Sequence, residues 1–369
     1  MPLKRPSAGL ARLLFPEASR QGHPRRPDHW LLIVTAALLT LVPLHGWAQA
    51  SCNPPSPAQL GALRRAVDKN LAPQPRAIAH VHTEGTLPHQ GIRDASIEAE
   101  HDWPLMRQLA QLWQARHDPE DARQLSRLMS AWAEVYQPDF NPIDETALDA
   151  YIDAYAMARD ALDADSRKLA GQFIRTLAEG YLQQMESGFR PRDGRWVNNW
   201  NSHRVKLAVL AAAALGDENL WGRARRAFAT QIGRNILDDG STLDMEERDA
   251  LHYVVYDLEP LVRAAQTAQA RGEHWLTLKG SGGRSLADAL NWLMPYAEGS
   301  RTHEEFIHSR VPFDARRRDA GLPGYAGQWE PKGAARLYAM AATLDDRYAA
   351  LARQLDPDGR LLLTCWGMP

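Results

Sequence analysis

Cysteine is nearly absent: the 369 residues contain two, Cys52 and Cys365, one toward each end. At most one intramolecular bridge is available, and the sequence does not choose between a bridge tying the ends together in an oxidising compartment and two unpaired thiols. Long apolar runs are missing too. The longest, Trp30 to Leu44, is about fifteen residues, short of the roughly twenty that span a bilayer. Lys4, Arg5, Arg12, Arg20, Arg25 and Arg26 stand before it and Ala48-Gln49-Ala50 after it, the order of an export signal over residues 1–50. The mature part, 51–369, is then expected to be a single domain without a membrane span, periplasmic or secreted. A lipid anchor on Cys52 is the competing reading, opposed by Gln49 where such signals prefer Leu.

A basic excess is lacking as well. The chain has 43 Lys+Arg and 45 Asp+Glu; the first fifty residues hold six and two of these, which leaves 37 against 43, a net charge of −6. Such a balance excludes a general nucleic-acid binder, and any polyanion must meet a local basic groove. Alternating strand patterns are scarce, no fixed-period repeat is present, and no HExxH occurs. His80-x-His82 is a two-ligand signal only, so neither a metal nor another cofactor is expected.

What is present is helical periodicity from residue 57 onward. Leu60, Leu63, Val67 and Leu71 recur at helical spacing, as do Leu105, Leu109, Leu112 and Trp113, and then Leu125, Leu128, Met129, Trp132 and Tyr136. Further helices are predicted at about 144–163, 165–187, 218–237, 243–271 and 331–354, with a long loop from Pro73 to Asp102. Roughly ten helices in succession predict an all-α fold, a toroid or incomplete barrel of antiparallel helix pairs.

Two stretches carry polar groups that core packing does not require. Asn198-Asn199-Trp200-Asn201-Ser202-His203-Arg204 opens an apolar run, and a helical spacing of four puts Asn199 and His203 on one face. An amide beside an imidazole binds a carboxylate and offers a base; the alternative is a capped helix with a satisfied histidine. In the second stretch, Arg248 to Glu259, a continuous helix would align Arg248, His252 and Tyr256, with Asp249, Tyr253 and Asp257 beside them. A charged surface helix with two tyrosines at a core edge is the plainer alternative.

Taken together, Asn198 to Arg204 and Arg248-Asp249-Ala250-Leu251-His252-Tyr253-Val254-Val255-Tyr256-Asp257-Leu258-Glu259-Pro260-Leu261 resemble the alginate-lyase-like superfamily of helical polysaccharide lyases, which includes polysaccharide lyase families 5 and 38. His82-Thr83-Glu84-Gly85, Asn141-Pro142-Ile143-Asp144 and Gly321-Leu322-Pro323-Gly324-Tyr325 are similar in style, so the likeness extends over most of residues 78–345. It implies β-elimination on a uronic acid polymer, alginate first, with Asn199, His203, Arg248 and Tyr256 catalytic. Asn198, Trp200, Arg204, His82, Glu84, His252, Tyr253, Tyr325 and Trp329 would bind the sugar chain. In this scheme Asn199 and Arg248 neutralise the carboxylate, Tyr256 is the acid, and His203 the base for one C5 epimer.

The chain departs from family 5 in two places. There the His directly follows the Asn pair, whereas Trp200-Asn201-Ser202 intervene here. There also the Arg stands seven residues before the Tyr, and position 249 here is Asp. Two rival readings stand beside this one: a glycoside hydrolase using two of Glu84, Asp102, Asp244 and Glu247, and an exported polysaccharide-binding protein without catalysis.

Overall fold

The computed structural model describes residues 55–188 and 193–359. The proposed export segment, both cysteines and the Leu361 to Leu363 tail lie outside the described residues. The helices are α1 (Pro57–Asn70), α2 (Arg93–Glu100), α3 (Asp102–Arg116), α4 (Pro119–Val135), α5 (Asp149–Ala158), α6 (Ala164–Ser187), α7 (Asn199–Leu215), α8 (Glu218–Asn235), α9 (Leu243–Arg248), α10 (Leu251–Ala270), α11 (Leu286–Ala297), α12 (Pro312–Asp319), α13 (Ala335–Ala341) and α14 (Ala349–Leu355). Among the described residues no β-strand forms, only two isolated bridges. Consecutive helices pack as pairs, α3 on α4 and α5, α6 on α7, α7 on α8, α10 on α11 and α13, in an α/α toroid.

The core follows from the apolar stripes. Trp103, Trp132 and Leu109 are fully buried on α3 and α4, with the two indoles 5.0 Å apart edge to face. Helix α7 has no solvent-exposed side: it contacts α5, α6, α8 and α10, and of its residues from Asn201 to Leu215 only Ala213 and Leu215 are not buried. Its ends are well marked. The Asn198 side chain accepts from Trp200 N at one end, Gly216 takes the left-handed conformation (φ +63°) at the other, and Asp217 caps α8 at once.

Three predicted elements differ. The long loop from Pro73 to Asp102 contains α2, a turn-rich stretch in which an apolar stripe is too short to read. The helix at 331–354 is split into α13 and α14. The single helix predicted over 243–271 is two: Asp249 caps α9 in the left-handed conformation (φ +48°), Ala250 is extended, and α10 starts again at Leu251. No side chain from its own segment caps α10; Glu305 does it from afar, accepting from Leu251 N at 2.9 Å. A break made by a residue 54 positions away leaves no local signal.

Candidate active site

A cleft of about 640 Å³ opens where the start of α7, the α9–α10 break, α12 and the Glu84 loop converge. Asn198, Asn199 and Trp200 line one side; Arg248, His252, Tyr253, Tyr256 and Tyr325 line the other, with Glu84 at the rim. The rim loop is held from below. Buried Asp144 accepts from Thr83 N (2.8 Å), Glu84 N (2.7 Å) and His82 Nδ1 (2.9 Å), which turns Glu84 toward the cleft and leaves His82 half-exposed outside its lining. On the far side Gly194 lies so close to Glu247 that an added Cβ would fall 2.5 Å from the carboxylate.

The sequence expectations divide sharply at α7. Asn199 and His203 do lie one helical turn apart, but both side chains are taken up inside the protein. Asn199 is 1 % exposed and donates its Nδ2 to Asp244 (2.5 Å), while its backbone N–H goes to the other oxygen of the same carboxylate (2.7 Å). His203 is buried, absent from the cleft lining, and bonded through Nδ1 to the Thr146 hydroxyl at 2.6 Å. Burial first, then Lys206, pushes its pKa well below the ordinary histidine value. Arg204 is buried under Trp196, its guanidinium carbon 4.3 Å from the ring centroid. Trp329 packs in the core. His203, Arg204 and Trp329 therefore do not line the cleft: beyond its first turn α7 is packed on four sides, and Trp329 sits in the core.

The opposite wall is open. His252 lines the cleft, its ring without a hydrogen-bond partner among the described residues, and burial, then Arg317 and Arg248, lower its pKa, which favours the neutral imidazole. Tyr256 also lines the cleft and its hydroxyl has no hydrogen-bond partner among the described residues. Burial and then Tyr325 push that phenol above its ordinary value, against the pull of Arg317. Tyr253 is different: its hydroxyl accepts from Arg317 Nη1 at 2.6 Å, and the Arg248 guanidinium lies 3.9 Å from its ring centroid.

The cations of the cleft are not equivalent. Arg248 is nearly buried and spent on Asp314 (2.5 Å), with Asp244 at 3.7 Å. Arg195 is held by Asp193 and Arg310 by Glu246. Among the described residues the one carboxylate near Arg317 is Asp314, at 3.9 Å, while its Nη1 donates to the neutral Tyr253 hydroxyl at 2.6 Å, so it is the cleft arginine least neutralised by a carboxylate. Within the run Arg316-Arg317-Arg318 the sequence offered no means of choosing it; the phase of α12 does. Among the rival carboxylates, Asp102 and Asp244 are fully buried, while Glu84 and Glu247 line the cleft. No group of three or more His, Cys, Asp or Glu among the described residues is arranged to hold a metal ion, and no described helix is long and apolar enough to cross a membrane.

An all-helical toroid whose cleft sets a neutral imidazole and two phenols among arginines defines a polysaccharide-lyase-like protein. The family model "Alginate lyase" matches residues 48–303, well over half of the chain, and the chain belongs to that family. A protein named "Polysaccharide lyase" from Stenotrophomonas maltophilia is 34 % identical over 131 residues; the match covers 35 % of this chain and 38 % of that protein's length. An alginate lyase structure from Bacteroides ovatus superposes with a TM-score of 0.61 at 14 % identity, covering 84 % of this chain and 93 % of that one, which shows a shared fold.

Proposed function

We propose that this chain is an exported lyase, with one catalytic domain over residues 51–369, that cuts a uronic acid polymer, alginate first, by β-elimination. Family membership supports the reaction class. The observation that carries the roles is the pair of opposed pKa shifts in one cleft: a neutral histidine and a protonated phenol side by side. Two titratable groups pushed apart by their surroundings define a base and an acid.

The proton on C5 of a uronate is weakly acidic while the adjacent carboxylate is charged. Arg317, the least neutralised cation, binds that carboxylate, and the outer face of Arg248 assists. Donors placed where charge develops each contribute about 3 kcal/mol to the transition state. His252 takes the C5 proton, the electron pair forms the C4–C5 double bond, and the C4–O4 bond breaks. Tyr256 gives its phenolic proton to O4. The phenolate so formed is stabilised by Arg317 until it recovers a proton from solvent. A phenol held above its ordinary pKa suits the acid, which supports His252 over a Tyr256 phenolate as the group that abstracts the proton.

The test is substitution of His252. His252→Asn should lower kcat about 10²-fold, and the acid limb of kcat/KM in the wild type should lie below the ordinary histidine pKa of about 6.5. Unchanged turnover in His252→Asn would remove it as the base.

A further inference from the structure

Buried His203 and Pro260 inside α10 take no part in the elimination described above, yet both bear on one residue, Tyr256. In an α-helix the N–H of each residue bonds the carbonyl four positions back. Residue 260 is proline and has no N–H, so the carbonyl of Tyr256 has lost its helical partner. The His203 ring packs against the Tyr256 ring with centroids 4.4 Å apart. Its Nε2 is buried and makes no hydrogen bond to a described residue, and the Tyr256 backbone is among the groups that act on the ring.

The hydrogen bonds on the other side of the ring fix its proton. Lys206 Nζ has three hydrogens and three acceptors: the Thr146 carbonyl (2.8 Å), Thr146 Oγ1 (2.9 Å) and Asp149 Oδ2 (2.7 Å). Thr146 Oγ1 thus accepts from Lys206 and lies 2.6 Å from His203 Nδ1, the acceptor in reach of its own hydrogen. A neutral imidazole that accepts at Nδ1 carries its proton on Nε2. The α10 carbonyl without a helical partner belongs to Tyr256, the residue whose ring packs on this imidazole.

We propose that His203 is a positioning residue: its Nε2–H stands in for the missing Pro260 N–H on the Tyr256 carbonyl and so fixes where α10 presents the Tyr256 phenol in the cleft. The relay Asp149, Lys206, Thr146 sets the tautomer from the far side. The inference rests on the lyase reading with Tyr256 as the acid. It explains a histidine beside the catalytic tyrosine that substrate does not reach, and a proline in the middle of a helix at the cleft.

Pro260→Ala is the discriminating variant, because it restores a helical N–H to the Tyr256 carbonyl and displaces His203 from it. The expected result is a melting temperature equal to or above the wild type, with kcat lowered about tenfold at unchanged KM, as a small misplacement of a catalytic group produces. His203→Phe, which keeps the ring contact and removes the donor, should lower kcat similarly, and the double variant should be no worse than either single one. A merely structural role for Pro260 would leave kcat intact. Nitrogen-15 NMR of the substrate-free protein is independent of activity: His203 should be protonated at Nε2 throughout the neutral range, and in Thr146→Val the fixed tautomer should be lost. Full kcat in Pro260→Ala, or a His203 protonated at Nδ1, overturns the proposal. An inactive wild type with the Nε2 tautomer in place would instead overturn the lyase reading and leave the hydrogen bond standing.

Discussion

The start of α7 and the wall formed by α10 and α12 face the same cleft with similar residues, yet they are built on opposite terms. On α7 the polar groups are consumed by the protein. Asn199 goes to Asp244; Asn201 donates to Gln231 at 2.7 Å; Ser202 donates to Asp257 at 2.6 Å; Lys206 goes to Asp149. On the opposite wall His252 and the Tyr256 hydroxyl are left open, and Arg317 is only loosely neutralised. Residue type does not tell a scaffold from a reactive surface; the completeness of the hydrogen-bond accounting does.

The largest difference between the two walls should appear with Tyr256→Phe. Loss of the acid should cut kcat by about 10²-fold or more, with no change in melting temperature, since no hydrogen bond to protein is removed. Arg317→Ala comes next. It should lower kcat/KM about 10²-fold, or ~3 kcal/mol in the transition state, and cost only about 1 kcal/mol of stability, since one hydrogen bond, to the Tyr253 hydroxyl, is lost and the acidic neighbour is 3.9 Å away. Retained activity in Arg317→Ala would move the carboxylate site elsewhere in the cleft. Arg248→Ala sharpens the comparison, since this arginine belongs to both worlds. It strands Asp314 and removes the cation beside Asp244, both buried, and should cost about 3 kcal/mol of stability in urea titration.

The smallest effect concerns pH. Asp257 is fully buried against Ser202 and Asn235, and burial raises its pKa to about 7. A raised carboxyl pKa favours the folded state at low pH, and that contribution is lost as pH climbs from the unfolded value of about 3.9 toward the folded one. Asp257→Asn should therefore flatten the decline of melting temperature between mildly acidic and mildly basic buffer. An unchanged slope would show that Asp257 is not the titrating group.

The helices were largely legible because their apolar stripes are local and regular. So was the convergence of the Asn198 to Arg204 and Arg248 to Tyr256 segments, both of which contribute to the cleft. Which side chains would face it was not. Asn199 and His203 share a helical face as their spacing requires, but spacing cannot say that Asn199 reaches the cleft wall already bonded to Asp244 while His203, one turn on, is enclosed by the surrounding helices. The break at Asp249 depends on Glu305, and Arg317 is selected by the position of α12; both are long-range effects that no window of sequence contains. Trp329 looks like a sugar platform beside Tyr325 and is a core residue, a distinction made only by what packs against it.

The central claim is the chemistry of the cleft, and one measurement addresses it most directly. The purified mature chain is incubated with alginate, polymannuronate, polyguluronate and glucuronan, and ultraviolet absorbance of the unsaturated product is followed beside the release of reducing ends. Absorbance that grows with chain cleavage in the wild type and is lost in Tyr256→Phe is the predicted result. New reducing ends without absorbance would mean hydrolysis through carboxylates such as Glu84 and Glu247, and neither signal on any of the four polymers would contradict the assignment of catalysis.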